Sequence, residues 1–361
     1  MDVVDLEGYD MANEVKEFDE SKGGVKGLLD SGIVKLPRFM IHPPETRPSA
    51  TPSNITSSLQ IPIIDFTGYD ESFGRSKIVR EIREASETWG FFQIINHSVP
   101  VSVMDGMLRA IREFHDQPTE VKKPWYSRDS NAKIKYFSNS DLFVAKAANW
   151  RDTIAFDMLD GRPINPEAYP PVCRDGVMEY QEHMLKMKDI MSELLSEALG
   201  LEKEYLRKIE CMEAEIMVGN YYPVCPEPEL TYGATRHSDP SCLTIVLQDT
   251  LGGLQVFHEN QLVDIKPLPG ALVVNIGDFL QIISNDRFKS VLHQVLAARD
   301  GNRVSVACFM YPHPDRKYGP IKEFLTKDNP PKYRDTNTRE YLTQYRSKSL
   351  DGSKTLPYFR V

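Results

Sequence analysis

The chain has 361 residues, of which 41% are hydrophobic and 26% charged, and its formal net charge is −9. That size and apolar content suit one large folded core with helical additions. The acidic balance, with no run rich in lysine or arginine, argues against nucleic acid or an anionic membrane as the main partner. No stretch of about 18 apolar residues could cross a membrane as a helix, and the acidic start "MDVVDLEGYDMANEVKEFDE" has no apolar signal core. The five cysteines, Cys173, Cys211, Cys225, Cys242 and Cys308, are scattered and form no CxxC. Buried free thiols in a reducing, cytoplasmic setting are expected.

Four sections are expected along the chain. Residues 1–57 read as an N-terminal extension whose first twenty residues are acidic and loose and which ends in a Pro- and Ser-rich linker. Residues 58–210 read as a helix-rich part carrying the first core strands. "IPIIDF" (Ile61–Phe66) is a short buried strand. Ser76 is placed to cap a helix with Ile78, Ile82, Ala85 and Trp89 at helical spacing, stopped by Gly90. "FFQIIN" follows as a strand. Ser102 is placed to cap a second helix whose face carries Met104, Met107, Leu108, Ile111 and Phe114, and a long amphipathic helix spans about 177–199 before Gly200.

From Glu215 the texture changes. "EIMVGNYYP", "CLTIVLQD", "LQVFHE", "LVDIKP", "ALVVNIG", "SVLHQVLAA" and "RVSVACFMYP" are short apolar runs separated by turn signals. Such spacing predicts a mainly β, jelly-roll core over 211–320 and no parallel α/β sheet. A C-terminal helical segment, with "TREYLTQYRS" as its helix, fills 321–361. There is no glycine-rich phosphate loop and no internal repeat.

Of the eight histidines, His42, His97, His115, His183, His258 and His313 have no carboxylate or second histidine at useful spacing and read as structural or exposed. His237 and Asp239 differ. On an extended chain they point the same way, about 6.5–7 Å apart along the backbone. His293, in a strand-like run, could be brought across by a neighbouring strand. Two imidazoles and one carboxylate with open positions form the facial arrangement that suits non-haem Fe(II) and O2, although His-x-Asp is also what a polar strand edge looks like. Arg303 and Ser305, two apart on the next strand, could clamp a carboxylate, the arginine through a bidentate pair. That pairing fits a keto acid that chelates the metal at one end and meets Arg303 at the other. Asn220 and Tyr222 alternate onto one face just upstream and could bond the same acid.

Read in order, "IPIIDF", "WGFFQIINHSVP", "NWRDT", "NYYPVCPEPELTYG", "RHSD", "LTIVLQD", "PGALVVNIGD", "SNDRFKSVLHQV" and "RVSVACF" resemble the plant 2-oxoglutarate/Fe(II)-dependent dioxygenases over nearly the whole chain. The N-terminal "KGGVKGLLDSGIVKLPRFMIHPP" is most similar to the 1-aminocyclopropane-1-carboxylate oxidase homolog subgroup. The resemblance implies a distorted double-stranded β-helix (cupin-like) flanked by helices, and Fe(II) on His237, Asp239 and His293. It implies 2-oxoglutarate on Arg303 and Ser305, with Tyr222 and Asn220 beside them. O2 is the oxidant and ascorbate a supporting reductant. Phe309, Tyr311, Phe143, Phe156 and Val218 are the implied substrate pocket. The implied reaction is oxidation, most simply hydroxylation, of a small, largely apolar metabolite such as an alkaloid, steroid or phenolic, with release of succinate and CO2, by a monomer. Three other readings stay open: an ascorbate-dependent 1-aminocyclopropane-1-carboxylate oxidase, a non-catalytic jelly-roll binding protein and a zinc hydrolase. Two departures stand out. Ser98 replaces the glycine of the family's Asn-His-Gly, and Gln294 replaces the arginine of His-Arg-Val.

Overall fold

A computed structural model describes residues 10–48, 59–297, 299–348 and 355–361. The elements of the first half are α1 (Met11–Ser21), α2 (Gly24–Asp30), β1 (Ile63–Asp65), α3 (Ser72–Thr88), β2 (Phe91–Ile95), α4 (Val101–Asp116), α5 (Thr119–Lys122), β3 (Ile134–Ser138) and β4 (Asp152–Met158). The second half comprises α6 (Arg174–Ala198), α7 (Tyr205–Lys208), β5 (Ala214–Tyr222), β6 (Tyr232–His237), β7 (Leu243–Gln248), β8 (Leu254–His258), β9 (Gln261–Asp264), β10 (Leu272–Ile276), α8 (Asp278–Ile283), β11 (His293–Leu296), β12 (Arg303–Tyr311) and α9 (Thr338–Ser347).

Among the described residues the strands form an eight-stranded sheet, β1-β2-β10-β7-β12-β5-β4-β3, and a four-stranded sheet, β6-β11-β8-β9. β1 runs parallel to β2, and the core pairs β12–β5, β12–β7 and β11–β6 are antiparallel. This is the jelly roll expected from the run of short strands. Strict alternation gives the large sheet two different faces. Val304, Val306, Cys308 and Met310 of β12 bury into a core shared with Ile82 of α3, Ile111 of α4 and Met187 of α6. The other face, with Tyr222, Val246 and Val273, joins Ala234, Val256 and Val295 of the small sheet in a second core. The polar residues on that inner face make the site.

Helix boundaries differ from the sequence reading. α3 begins at Ser72, and the Ser76 hydroxyl donates back to the Ser72 carbonyl at 3.0 Å instead of capping the helix. α4 begins after Pro100, whose fixed φ starts the helix one residue ahead of Ser102. Gly90 and Gly200 do end their helices, at φ +64° and +80°.

The expectation of a loose first twenty residues is overturned from Asp10 onward. Asp10 caps α1 by accepting from the Asn13 N–H, and Val15 and Phe18 bury against Phe39 and Trp150. The dense charge of this segment hid a narrow apolar stripe. The end of the expected Pro- and Ser-rich linker, from residue 49 on, lies outside the described residues. All five cysteines are buried and none is in a disulfide. Among the described residues no helix is long and apolar enough to cross a membrane.

Candidate active site

His237 ends β6 and His293 begins β11, and the two are direct partners across the antiparallel ladder. Their ring centroids are 4.3 Å apart. Asp239, two residues past the end of β6, brings Oδ1 to 3.7 Å from His237 Nε2 and 3.5 Å from His293 Nε2. One ligand atom from each residue falls within 4.8 Å of the others, which is the spacing of a metal site.

The surroundings fix these atoms. His237 Nδ1 donates to the Thr235 carbonyl at 2.6 Å and His293 Nδ1 to the Val291 carbonyl at 3.3 Å. A carbonyl can only accept, so each ring carries its proton on Nδ1 and offers the Nε2 lone pair to the site. Burial, and then His293, push His237 down to about 4, so it is a neutral ligand at physiological pH. Asp239 Oδ2 accepts from Thr244 Oγ1 at 2.6 Å and Asn275 Nδ2 at 2.7 Å. Oδ2 is thereby saturated and Oδ1 is left for the metal. Burial raises the Asp239 carboxyl, but the two imidazoles and these two hydrogen bonds outweigh it and hold the group below its ordinary value.

The clamp lies across the inter-sheet space on β12. Arg303 is 2% exposed and donates to the Gly252 carbonyl, Ser305 Oγ and Gln248 Oε1. It has no carboxylate partner among the described residues. A buried guanidinium held only by neutral acceptors is a strong solicitation for an acid. Arg303 pairs with Tyr222, and its guanidinium carbon lies 4.8 Å from the ring centroid. Ser305 pairs with Asn220. Asn220 Oδ1 accepts from Thr153 Oγ1 at 3.0 Å, leaving its amide N–H2 as a donor. These donors fit a dicarboxylate keto acid, and the imidazole–carboxylate set fits Fe(II).

A cavity of about 360 Å3 opens beside the metal residues. Its wall near His237 and Asp239 comes from alternate residues of three strands: Ala155 of β4, Ile216 and Val218 of β5, and Phe309 and Tyr311 of β12. Leu342, Tyr345 and Arg346 of α9 close one side. That helix is pinned over the metal loop by Tyr345, whose hydroxyl donates to the Ser238 carbonyl at 3.0 Å, and by Tyr341, which donates to Asp278 at 2.7 Å. Of the expected pocket residues, Phe309, Tyr311 and Val218 line the cavity and two do not. Phe156 points to the helical face and stacks on Tyr169 at 5.4 Å, because its neighbours Ala155 and Asp157 take the inward positions. Phe143 is 62% exposed and lies against Arg128. The lining also carries charge, from Arg128, Lys135, Asp157 and Arg346. The sequence reading missed Arg151, Thr153 and Ala155. The signal was present as alternation in "RDTIAFDM", but β4 had not been recognised as a strand.

Comparison with known proteins agrees with this geometry. Residues 213–312 match the 2OG-Fe(II) oxygenase superfamily, and residues 61–172 match the N-terminal region described as non-haem dioxygenase in morphine synthesis. The chain is 49% identical over 356 residues to 1-aminocyclopropane-1-carboxylate oxidase homolog 1 of Arabidopsis thaliana, covering 98% of this chain and 97% of that one. The chain belongs to the plant 2-oxoglutarate/Fe(II)-dependent dioxygenases. Within them it falls in the 1-aminocyclopropane-1-carboxylate oxidase homolog subgroup, with a Solanum lycopersicum homolog also 43% identical over 98% of each chain. Among solved structures, JOX2 in complex with 2OG, Fe and JA superposes with a TM-score of 0.82 at 32% identity, covering 94% of this chain and 97% of that one. The rice dioxygenase for auxin oxidation shares the fold, with a TM-score of 0.70 at 23% identity over 84% of this chain and all of that one. The dioxygenase therefore has the double-stranded β-helix core and works with Fe(II) and 2-oxoglutarate.

Both departures from the family pattern have a structural reading. Ser98 sits at φ +65°, the left-handed region where glycine is free and serine is strained, so the turn is kept at a cost. Gln294 is buried and donates to Gln255 Oε1 at 2.9 Å, away from the metal atoms.

Proposed function

We propose that this dioxygenase hydroxylates a small specialised metabolite in the cytoplasm, acting as a monomer, with ascorbate as a supporting reductant. The observation that carries the reading is the sharing of one cavity by two metal residues, His237 and Asp239, and the apolar wall of Ala155, Ile216, Val218 and Phe309. His237, Asp239 and His293 hold the iron, and Arg303, Ser305, Tyr222 and Asn220 hold the keto acid. Bound there, Fe(II) supplies the O2 activation that couples decarboxylation of the keto acid, to succinate and CO2, with oxidation of a substrate C–H bond.

The protein's own part is orientation and exclusion of water. Two imidazoles and one carboxylate leave coordination positions open, and Thr244 and Asn275 stop Asp239 from turning. The substrate's reacting carbon rests on the apolar wall, and its polar end faces the charged residues of the lining. The ring-opening oxidase reading is not favoured, because the Arg303–Ser305 pair and the buried, unpaired guanidinium suit a dicarboxylate cosubstrate. The test is a screen of candidate metabolites for substrate-dependent succinate release. A reaction that ran at full rate without 2-oxoglutarate would overturn the reading.

A further inference from the structure

We propose that Arg151 is a second cosubstrate anchor, binding the far carboxylate of the keto acid together with Arg303 and Tyr222. The proposal rests on the reading of the Arg303 clamp given above.

The argument begins with register. Arg303 of β12 pairs with Tyr222 of β5, and on the other side of β5 Asp152 of β4 pairs with Tyr221. Arg151, one residue before Asp152, therefore falls on the rung of Tyr222. One rung across three adjacent strands thus reads guanidinium, phenol, guanidinium. Alternation sends Asp152 to the helical side and Arg151 to the cavity, which it lines together with His237.

Arg151 differs from the other cations of the cavity, of which Arg346 and Lys348 are exposed and two more are already paired. Arg128 is paired with Asp19 at 2.8 Å and Lys135 with Asp157 at 3.1 Å. Arg151 makes no ion pair among the described residues, and its Nε is buried without a hydrogen-bond partner. Its neighbours show why it stays in place. Trp150 is fully buried, with its backbone N–H on the Tyr232 carbonyl at 2.7 Å and its indole N–H on the Pro223 carbonyl at 2.9 Å. Asp152 accepts the Val25 and Lys26 N–H groups at 2.8 and 2.9 Å. A guanidinium braced on both sides and left without an acid inside a binding cavity is pre-organised for a bound anion. Burial raises the Tyr222 phenol, yet the charges of Arg303 and Arg151, with hydrogen bonds from Ser305 and Arg151, outweigh it and hold the group below its ordinary value.

The test uses the full chain loaded anaerobically with Fe(II) and titrated with two keto acids, read by the absorbance of the iron–keto acid complex and by calorimetry. One acid is 2-oxoglutarate and the other is 2-oxopentanoate, which lacks the far carboxylate. Arg151→Met is expected to weaken 2-oxoglutarate about tenfold to a hundredfold, the range for a lost charged hydrogen bond. The same variant should leave 2-oxopentanoate within twofold of the parent, and Arg151→Lys should recover part of the loss. The proposal is overturned if 2-oxoglutarate binding stays within twofold of the parent, or if both acids weaken equally. The clamp reading fails separately, when the parent itself does not bind 2-oxoglutarate or Arg303→Met binds it normally. A Co(II)-induced rise in Tm that matches the parent's shows that the variants keep their fold and metal site.

Discussion

Replacing Thr244 with valine removes one hydroxyl and keeps the shape of the side chain. In the structure that hydroxyl donates to Asp239 Oδ2 at 2.6 Å, in a site where Asp239 is 3% exposed. Asn275 keeps its own bond to the same oxygen at 2.7 Å, and the Asp278 N–H still holds the Asp239 carbonyl at 2.7 Å, so the loop should not collapse. The hydroxyl's contact with Ser241 Oγ at 3.0 Å is lost as well, but the part felt by the metal is one charge-assisted hydrogen bond to a buried carboxylate, worth about 1.5–3 kcal/mol. At about 1.4 kcal/mol per decade this is roughly a tenfold to hundredfold loss in metal affinity, the range found for partners that orient metal-bound carboxylates. Anaerobic calorimetry with Mn(II) or Co(II) measures it directly. An affinity within twofold of the parent would refute the claim that Thr244 holds the ligand oxygen in place.

Four further outcomes are expected. Asp239→Ala should abolish turnover and the metal-induced gain in Tm, which for the parent at a hundredfold excess over Kd corresponds to about 2.7 kcal/mol; turnover by the variant would remove Asp239 from the site. Glu215 has both oxygens buried and unbonded, and burial, opposed only by Lys188, pushes it up to about 7 from 4.5. Between those pH values the unfolded chain gives up this proton while the folded chain keeps it, so stability falls as pH rises through the window and levels off above it. Glu215→Gln should therefore match the parent near pH 4.5 and exceed it by up to about 3 kcal/mol at pH 8, and parallel Tm–pH curves would contradict this. Ser98→Gly should raise stability by about 0.5–1 kcal/mol in urea unfolding, as relief of the left-handed strain exceeds the entropy that glycine adds; a loss would mean the serine hydroxyl compensates. Gly24→Ala should free the N-terminal segment to protease, because Gly24 lies at φ +68° and a Cβ there would meet the Asp152 carboxylate and the Tyr136 hydroxyl; unchanged cleavage would argue against that contact.

Much of the site could be read from the sequence because its residues alternate on strands with strong apolar patterns. His237 and Asp239 lead into "CLTIVLQD", and Arg303 and Ser305 open "RVSVACFMYP". Each motif carries its own strand signal, so the inward face follows from counting by two. Arg151 could not be found that way. β3 and β4 are written "IKYFS" and "DTIAFDM", where charged residues sit at positions buried by other elements, and β6 is "YGATRH", short of branched residues. Phe156 was misplaced for the same reason, since only the register of β4 against β5 shows which way it points. The α1 cap at Asp10 was legible, but without Trp150 and Phe39 as partners nothing in the segment explained why a charged helix should dock.

The iron residues and the clamp belong to different layers, with His237 and His293 on the four-stranded sheet and Arg303 and Ser305 on the eight-stranded one. Sheets of such sandwiches pack about 10 Å apart, so the side chains reaching in from both layers leave a shorter span for a keto acid held between them. The fold thus acts as a caliper. An acid one carbon shorter fails to touch both jaws, and one a carbon longer must buckle or push the layers apart. If the acid is held this way, Val256, Val273 and Val295, which pack together between the sheets, act as the shims that set the gauge.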